Sequence, residues 1–227
     1  MRIDINGTIV SNDDKWIYDY FDMEAVCPGE VKKAIQAADG VSGIDVYINS
    51  GGGDVFAGSE IYSELRAYKG NVRIHITGLA ASAASVIACA GASDITPTGM
   101  IMVHNVSAYG VTGDYNAMDK QSEILKQANR AIAAAYVEKT GMTEAEALKL
   151  MNNETWLSAA DAVEKGLIDK ITESQNVRLA ASYTNMLPQA VIEKIRNTVR
   201  CPRENNADFL TNTLQAKLDL LKLKGGI

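Results

Sequence analysis

The chain has 227 residues, 47% of them hydrophobic and 22% charged, with a formal net charge of −6. That length supports one globular domain with a substantial core and a smaller appendage. The acidic balance argues against a nucleic-acid-binding body, two histidines exclude a His-rich metal centre, and no apolar run approaches a membrane span.

The opening MRIDINGTIV lacks the basic and apolar stretches of a secretory signal, so a cytosolic location is expected. Within it, IDINGTIV alternates around a turn. VKKAIQAA follows as a short amphipathic helix, and IDVYINS as an apolar strand ending in GGG. FAGSEIYSELRAYKG reads as a helix stopped by Gly70, VRIHITG as a second strand of this kind, AASAASVIACAGA as a helix and IMVHNV as a third strand. Strands separated by helices predict a largely parallel α/β sheet, whose ligands gather at the carboxyl ends of the strands.

A long helix is predicted from about Asp114 to Glu138, with Met118, Leu125, Ala128, Ile132 and Ala135 at helical spacing. Its length and polar second face suit a projecting or partner-contacting element. Thr143 with Glu146, and Ser158 with Asp161, are spaced as capping boxes, with Gly166 as a stop. IDKI is a last short strand. The domain boundary is placed near Glu173, giving a body of residues 1–173 and an extension of 174–227 with helices at PQAVIEKIRNTV and FLTNTLQAKLDLLKLKGG. The body carries 24 acidic against 14 basic side chains and the extension 4 against 8, so the extension suits an acidic partner or the body itself. Cys27, Cys89 and Cys201 are scattered and odd in number, which predicts reduced thiols rather than a disulfide framework.

Two glycine- or alanine-rich stretches sit where strands give way to helices. SGGGD lacks a phosphate-loop Lys and places Asp54 where an anion would be repelled; its N–H groups suit an oxyanion hole instead. GLAASAAS places Ser82 at a helix start, where developing negative charge is favoured, and Ser85 one turn deeper in the packed part. Close helix packing, with both hydroxyls bonded to the preceding turn, is the competing account. Of the two histidines, His75 lies in phase with Arg73 and Thr77 on a polar sheet face, whereas His104 ends a strand and is the better base for a serine. For a carboxylate to orient it, Glu154 and Asp169 are candidates, while Asp161 is better explained as helix-start chemistry.

Four motifs in one order, INSGGGDVFAG, GLAASAAS, MVHNV and ETWLSAADAVEKGLIDKI, resemble the ClpP serine peptidases, and most of all their phage and prophage branch, which includes head maturation proteases. The resemblance covers roughly residues 1–173. It implies a ClpP/crotonase-like fold of repeated ββα units with a protruding handle helix at Asp114–Glu138, and a serine endopeptidase working inside stacked, heptameric homo-oligomeric rings. Residue by residue, it places the nucleophile on Ser82, the base on His104 and the acid on Glu154, where many members have Asp. It places the oxyanion donors on the backbone of Gly53 and Ala83, and substrate contacts on Gly52, Val55 and Phe56, the last two pairing with an extended peptide. The resemblance implies no metal and no cofactor. Its implied partners are a peptide or protein substrate and an unfoldase ATPase or phage capsid and portal proteins, with no nucleic acid and no membrane. Gly51 stands where the family's S-P-G-G turn has Pro, and the short N-terminus implies missing axial loops. A catalytically weak assembly scaffold and a crotonase-type acyl-CoA enzyme are the rival expectations.

Overall fold

Three strands whose side chains alternate between core and surface organise the molecule. In the computed structural model, which describes residues 1–38 and 43–172, β1 (Arg2–Ile9), β3 (Ile44–Gly53) and β4 (Val72–Ala81) lie side by side and parallel. Ile3, Ile5, Ile44, Val46, Ile48, Ile74 and Ile76 all point to one buried face. Each fully buried isoleucine is worth about 1.5–3 kcal/mol of burial. The two-residue β2 (Ala25–Val26) extends the sheet beyond β1, and β5 (Ala92–Ile95) and β8 (Lys170–Ile171) extend it beyond β4. β4 forks. Its first half, Arg73–Ile76, pairs with β5, while its last residues, Leu79–Ala81, pair with β6 (Met100–Val103). β6 in turn pairs antiparallel with β7 (Thr155–Ser158).

The helices are α1 (Lys15–Tyr20), α2 (Pro28–Ala37), α3 (Val55–Ala67), α4 (Ala83–Ala88), α5 (Tyr115–Thr140), α6 (Glu144–Asn152) and α7 (Ala159–Glu164). Their ends follow local chemistry. Asp54 accepts from the Ala57 N–H at 2.7 Å to start α3, and the Thr143/Glu146 and Ser158/Asp161 capping boxes both form. Every residue of α4 is buried. Its alanines have a packing reason: a Cβ on Gly58 of α3 would lie 2.8 Å from the Cβ of Ala83, so these helices touch almost backbone to backbone.

Several elements differ from the sequence reading. IDINGTI lies in one strand, β1, rather than in two arms around a turn, and Val10 follows it. Gly7, at φ +70°, lies at a register shift between Asn6 and Thr8, where β3 carries one extra residue and the ladder continues. The three glycines lie inside β3 instead of after it, and β4 runs four residues beyond Thr77, through Gly78–Ala81. Consequently α4 is a single short helix that begins only after Ser82. α1, β2, β5 and β7 were not anticipated. α3 ends at Ala67, before Gly70.

α5 has 26 residues and spans about 39 Å. Its buried residues, Ile132, Ala133, Ala135 and Tyr136, lie in its last third, while Tyr115, Met118 and Ile124 in the first half are exposed. The C-terminal end is anchored by Lys139, whose ammonium donates to Gly91 O at 3.0 Å and to both Asp169 oxygens at 2.8 and 2.7 Å. No described helix is long and apolar enough to cross a membrane. The first compact unit of the chain is Met1–Gln175. The proposed extension helices and Cys201 lie outside the described residues.

Candidate active site

Ser82 sits at the junction of β4 and α4 with φ +55° and ψ −124°. A non-glycine residue there costs about 1–3 kcal/mol and persists only when its surroundings hold it. Here the Ser82 N–H donates to Met102 O at 2.9 Å, and the Ser82 carbonyl accepts from the Ser85 N–H at 2.9 Å and the Ser85 hydroxyl at 2.6 Å. A serine at a helix N-cap ordinarily caps the N–H groups of the first turn. Ser82 makes no such bond. Its Oγ lies 2.8 Å from His104 Nε2 instead.

The sheet explains this meeting. β4 and β6 are parallel neighbours with Ala81 beside Met102, so the residues that follow each strand emerge at the same edge. His104 comes directly after β6, and Ser82 directly after β4. Both are partly exposed and line one cavity of about 690 Å³. Gly53, Ala83, Val55 and Phe56 line it as well, and the base of α5 closes it with Ile132 and Tyr136. Ala83 opens α4, where the first N–H groups have no acceptor within the helix.

The three anticipated substrate contacts fall on two different kinds of position. Val55 and Phe56 form the first turn of α3 and line the cavity beside Ser82. Gly52 does not line the cavity. It is buried behind Ser82 at φ +92°, and a Cβ there would lie 2.7 Å from both Ala81 O and Ser82 Cβ. Gly52 therefore seats the elbow that carries Ser82. Gly53, at φ +150°, lies against β1, where a Cβ would meet Ile9 O at 2.0 Å.

The carboxylate candidates separate by position. Asp161 is spent on the α7 cap, where the Ser158 hydroxyl and N–H hold its pKa below the ordinary carboxylate value. Asp169 bonds Lys139 and the Ser93 N–H; burial alone would raise its pKa, but these donors outweigh it and the net shift is downward. Glu154 precedes β7. The antiparallel register pairing Val103 with Thr155 sets Glu154 across from His104, one step beyond the ladder. Its carboxylate, however, accepts from Trp156 Nε1 at 3.4 Å, and among the described residues no hydrogen bond joins it to His104. Glu154 also has a positive φ of 45°.

His75 is occupied elsewhere. Its Nδ1 lies 3.0 Å from both Asp94 oxygens and its Nε2 3.2 Å from Asp45, with its ring over Tyr47. Arg73, which donates two hydrogen bonds to Asp45, holds that carboxyl below its usual pKa. With carboxylates at both ring nitrogens, His75 is committed to the sheet face and not to Ser82. Among the described residues, no group of three or more His, Cys, Asp and Glu side chains is arranged to hold a metal.

A strained serine on a strand–helix elbow, hydrogen-bonded to a histidine in an open cleft of a parallel α/β sheet, has the layout of a serine hydrolase. Comparison with known proteins agrees and is more specific. The Clp protease family model matches residues 33–175. The chain is 33% identical over 156 residues to the ATP-dependent Clp protease proteolytic subunit 1 of Streptomyces avermitilis, covering 67% of this chain and 71% of that one. It is 36% identical over 133 residues to the protein of the same name from Chlamydia muridarum, covering 57% and 69%. The chain belongs to the Clp protease family, and it is a serine-type peptidase.

Proposed function

We propose that this chain is an endopeptidase that uses Ser82 as nucleophile, His104 as base and Glu154 as the group that orients the base. The observation that carries the reading is the 2.8 Å contact between Ser82 Oγ and His104 Nε2, made by a serine that leaves its own helix uncapped. Ser82 Oγ attacks the substrate carbonyl carbon as His104 Nε2 takes its proton. The N–H groups of Gly53 and Ala83 receive the oxyanion. Collapse of the intermediate breaks the C–N bond, and His104 returns the proton to the leaving amine. A water, deprotonated by His104, then hydrolyses the acyl-serine and restores the enzyme.

Glu154's part rests on the strand register that sets it opposite His104. Its present bond to Trp156 is long at 3.4 Å and neutral on the donor side. A side-chain rotation exchanges it for a stronger, charge-assisted bond to the imidazolium that forms during turnover. Ring assembly is supported by three exposed apolar side chains in the first half of α5, Tyr115, Met118 and Ile124, which another copy of this chain would cover. Protein substrates then reach Ser82 only through the ring. Placement in the phage branch, with capsid proteins as substrates, is supported by Gly51 standing where cellular members carry Pro and by the residues that follow the matched span.

Hydrolysis of a fluorogenic peptide by the wild type and by Ser82→Ala, with native mass spectrometry on both, tests this. Turnover by wild type, its loss in Ser82→Ala and a shared ring mass are expected. Equal turnover by both proteins would refute the assignment of Ser82, and a monomer mass for active wild type would refute the ring.

A further inference from the structure

The conformation of Ser82 is held from a distance, and the restraint reaches into the handle helix. Ser85 is buried in α4, and its hydroxyl lies 2.6 Å from the Ser82 carbonyl and 2.8 Å from the hydroxyl of Tyr136, itself buried at the base of α5. The direction of this chain is fixed by its last member. A carbonyl only accepts, so the single Ser85 proton is given to Ser82 O, and Tyr136 must donate to Ser85 Oγ. Burial pushes the Tyr136 phenol's pKa up, so it stays protonated and remains a donor. The Ser82 carbonyl is the backbone group that a relaxation of the φ +55° conformation would swing.

We propose that Ser85 and Tyr136 are positioning residues, a hydroxyl relay through which the seating of α5 holds the Ser82 elbow in the geometry that aims Oγ at His104. The inference rests on the reading of Ser82 as nucleophile. It gives the packed serine of GLAASAAS a task distinct from that of the reactive one. It also makes α5 more than a contact element: its base, at Tyr136, shares the cavity wall with Ala83 and Val86 of α4. A shift of the helix that lengthens the Tyr136–Ser85 contact frees the Ser85 hydroxyl to rotate off the Ser82 carbonyl.

The test is the second-order rate of labelling by a fluorophosphonate, with kcat and KM for a peptide, in wild type, Ser82→Ala, Ser85→Ala, Tyr136→Phe and the double variant Ser85→Ala/Tyr136→Phe. Each protein is first checked by thermal unfolding. Labelling still occurs in Ser85→Ala but slows by about tenfold, the rate equivalent of one hydrogen bond, and Tyr136→Phe slows it by a few-fold. In both, kcat falls with KM unchanged, because Ser85 does not line the cavity and Phe keeps the ring with which Tyr136 does. The double variant is no slower than Ser85→Ala alone, since cutting the relay at its second link makes the first irrelevant. Wild-type labelling rates in Ser85→Ala and Tyr136→Phe, or losses that multiply in the double variant, overturn the relay. Should Ser85→Ala not fold, Tyr136→Phe decides by itself, and a wild-type rate there overturns the proposal. Labelling of Ser82→Ala at the wild-type rate refutes the nucleophile itself, a separate outcome.

Discussion

Gly52→Ala puts the seat of the nucleophile to a direct test. An added Cβ would meet Ser82 Cβ and Ala81 O at 2.7 Å and Ala83 N at 3.0 Å, whereas ordinary contact begins near 3.4 Å. Relieving the clash requires a movement of about 0.7 Å, and the neighbours are backbone atoms and the Cβ of Ser82, none of which is a flexible chain end. The φ of +92° adds a conformational penalty of about 1–2 kcal/mol for an L-residue. With overpacking, the destabilisation totals roughly 2–5 kcal/mol, a fall in Tm of about 5–20 °C for a domain of this size. A displacement approaching 1 Å at a reacting atom costs about 10²-fold in rate. The matched control is Gly51→Ala. Gly51 has nothing within 4 Å of its virtual Cβ and no positive φ, so this variant keeps wild-type labelling and stability or gains up to about 1 kcal/mol. Fluorophosphonate labelling rates and thermal unfolding of the two variants read both effects. Gly52→Ala labelling and melting like Gly51→Ala would refute the assignment of Gly52 as the seat of the Ser82 elbow.

Further outcomes follow from the same geometry. His104→Gln lowers peptide turnover by about 10²–10⁴-fold while His75→Gln keeps the pH-dependence of kcat unchanged, as pH–rate profiles will show; equal profiles for wild type and His104→Gln would contradict the base assignment. Glu154→Gln, which keeps size and removes charge, lowers kcat by at least about 10²-fold, and full activity in a steady-state assay would dismiss Glu154. Asp169→Asn weakens the anchor at the end of α5. The Asp169 pKa is depressed in the folded protein, so its contribution is present above the ordinary carboxylate value of 3.8 and is lost as pH falls through the lower folded value. The Tm deficit of Asp169→Asn relative to wild type is therefore full at pH 7 and shrinks below about pH 4, and a deficit that grows on acidification would contradict the sign.

What the sequence disclosed depended on the range of the interaction. The apolar alternation of IDVYINS and VRIHITG, and the caps at Thr143 and Ser158, are local signals, and each element formed where its signal stood. The ends of the central strands were hidden, because Gly51–Gly53 and Gly78–Ala81 have little strand propensity. They are extended because neighbouring strands pair with them, Gly52 with Thr8 and Ala80 with both Ser50 and Ile101. β5 carries no local signal, because ASDI has only four residues and its two central ones, Ser93 and Asp94, are both polar. Ser82 and His104 were legible as a pair since only two histidines compete and one is spoken for by its strand phase. The position of Glu154 opposite His104 depends on the antiparallel pairing of β6 with β7, fifty residues apart in sequence, and no local pattern encodes that register. The Ser85–Tyr136 contact is equally non-local. Its one local trace was the second serine of GLAASAAS, read as packing; it packs, and it also bonds back to the Ser82 carbonyl.

The central claim is that Ser82, and no other hydroxyl, becomes acylated. Mass spectrometry of the fluorophosphonate adduct tests it most directly. Trypsin cleaving after Arg73 and Lys120 releases one peptide that contains both Ser82 and Ser85, and fragmentation within it separates them. The account predicts a single adduct on Ser82, absent after Ser82→Ala. An adduct on Ser85, or one that persists in Ser82→Ala, would contradict it.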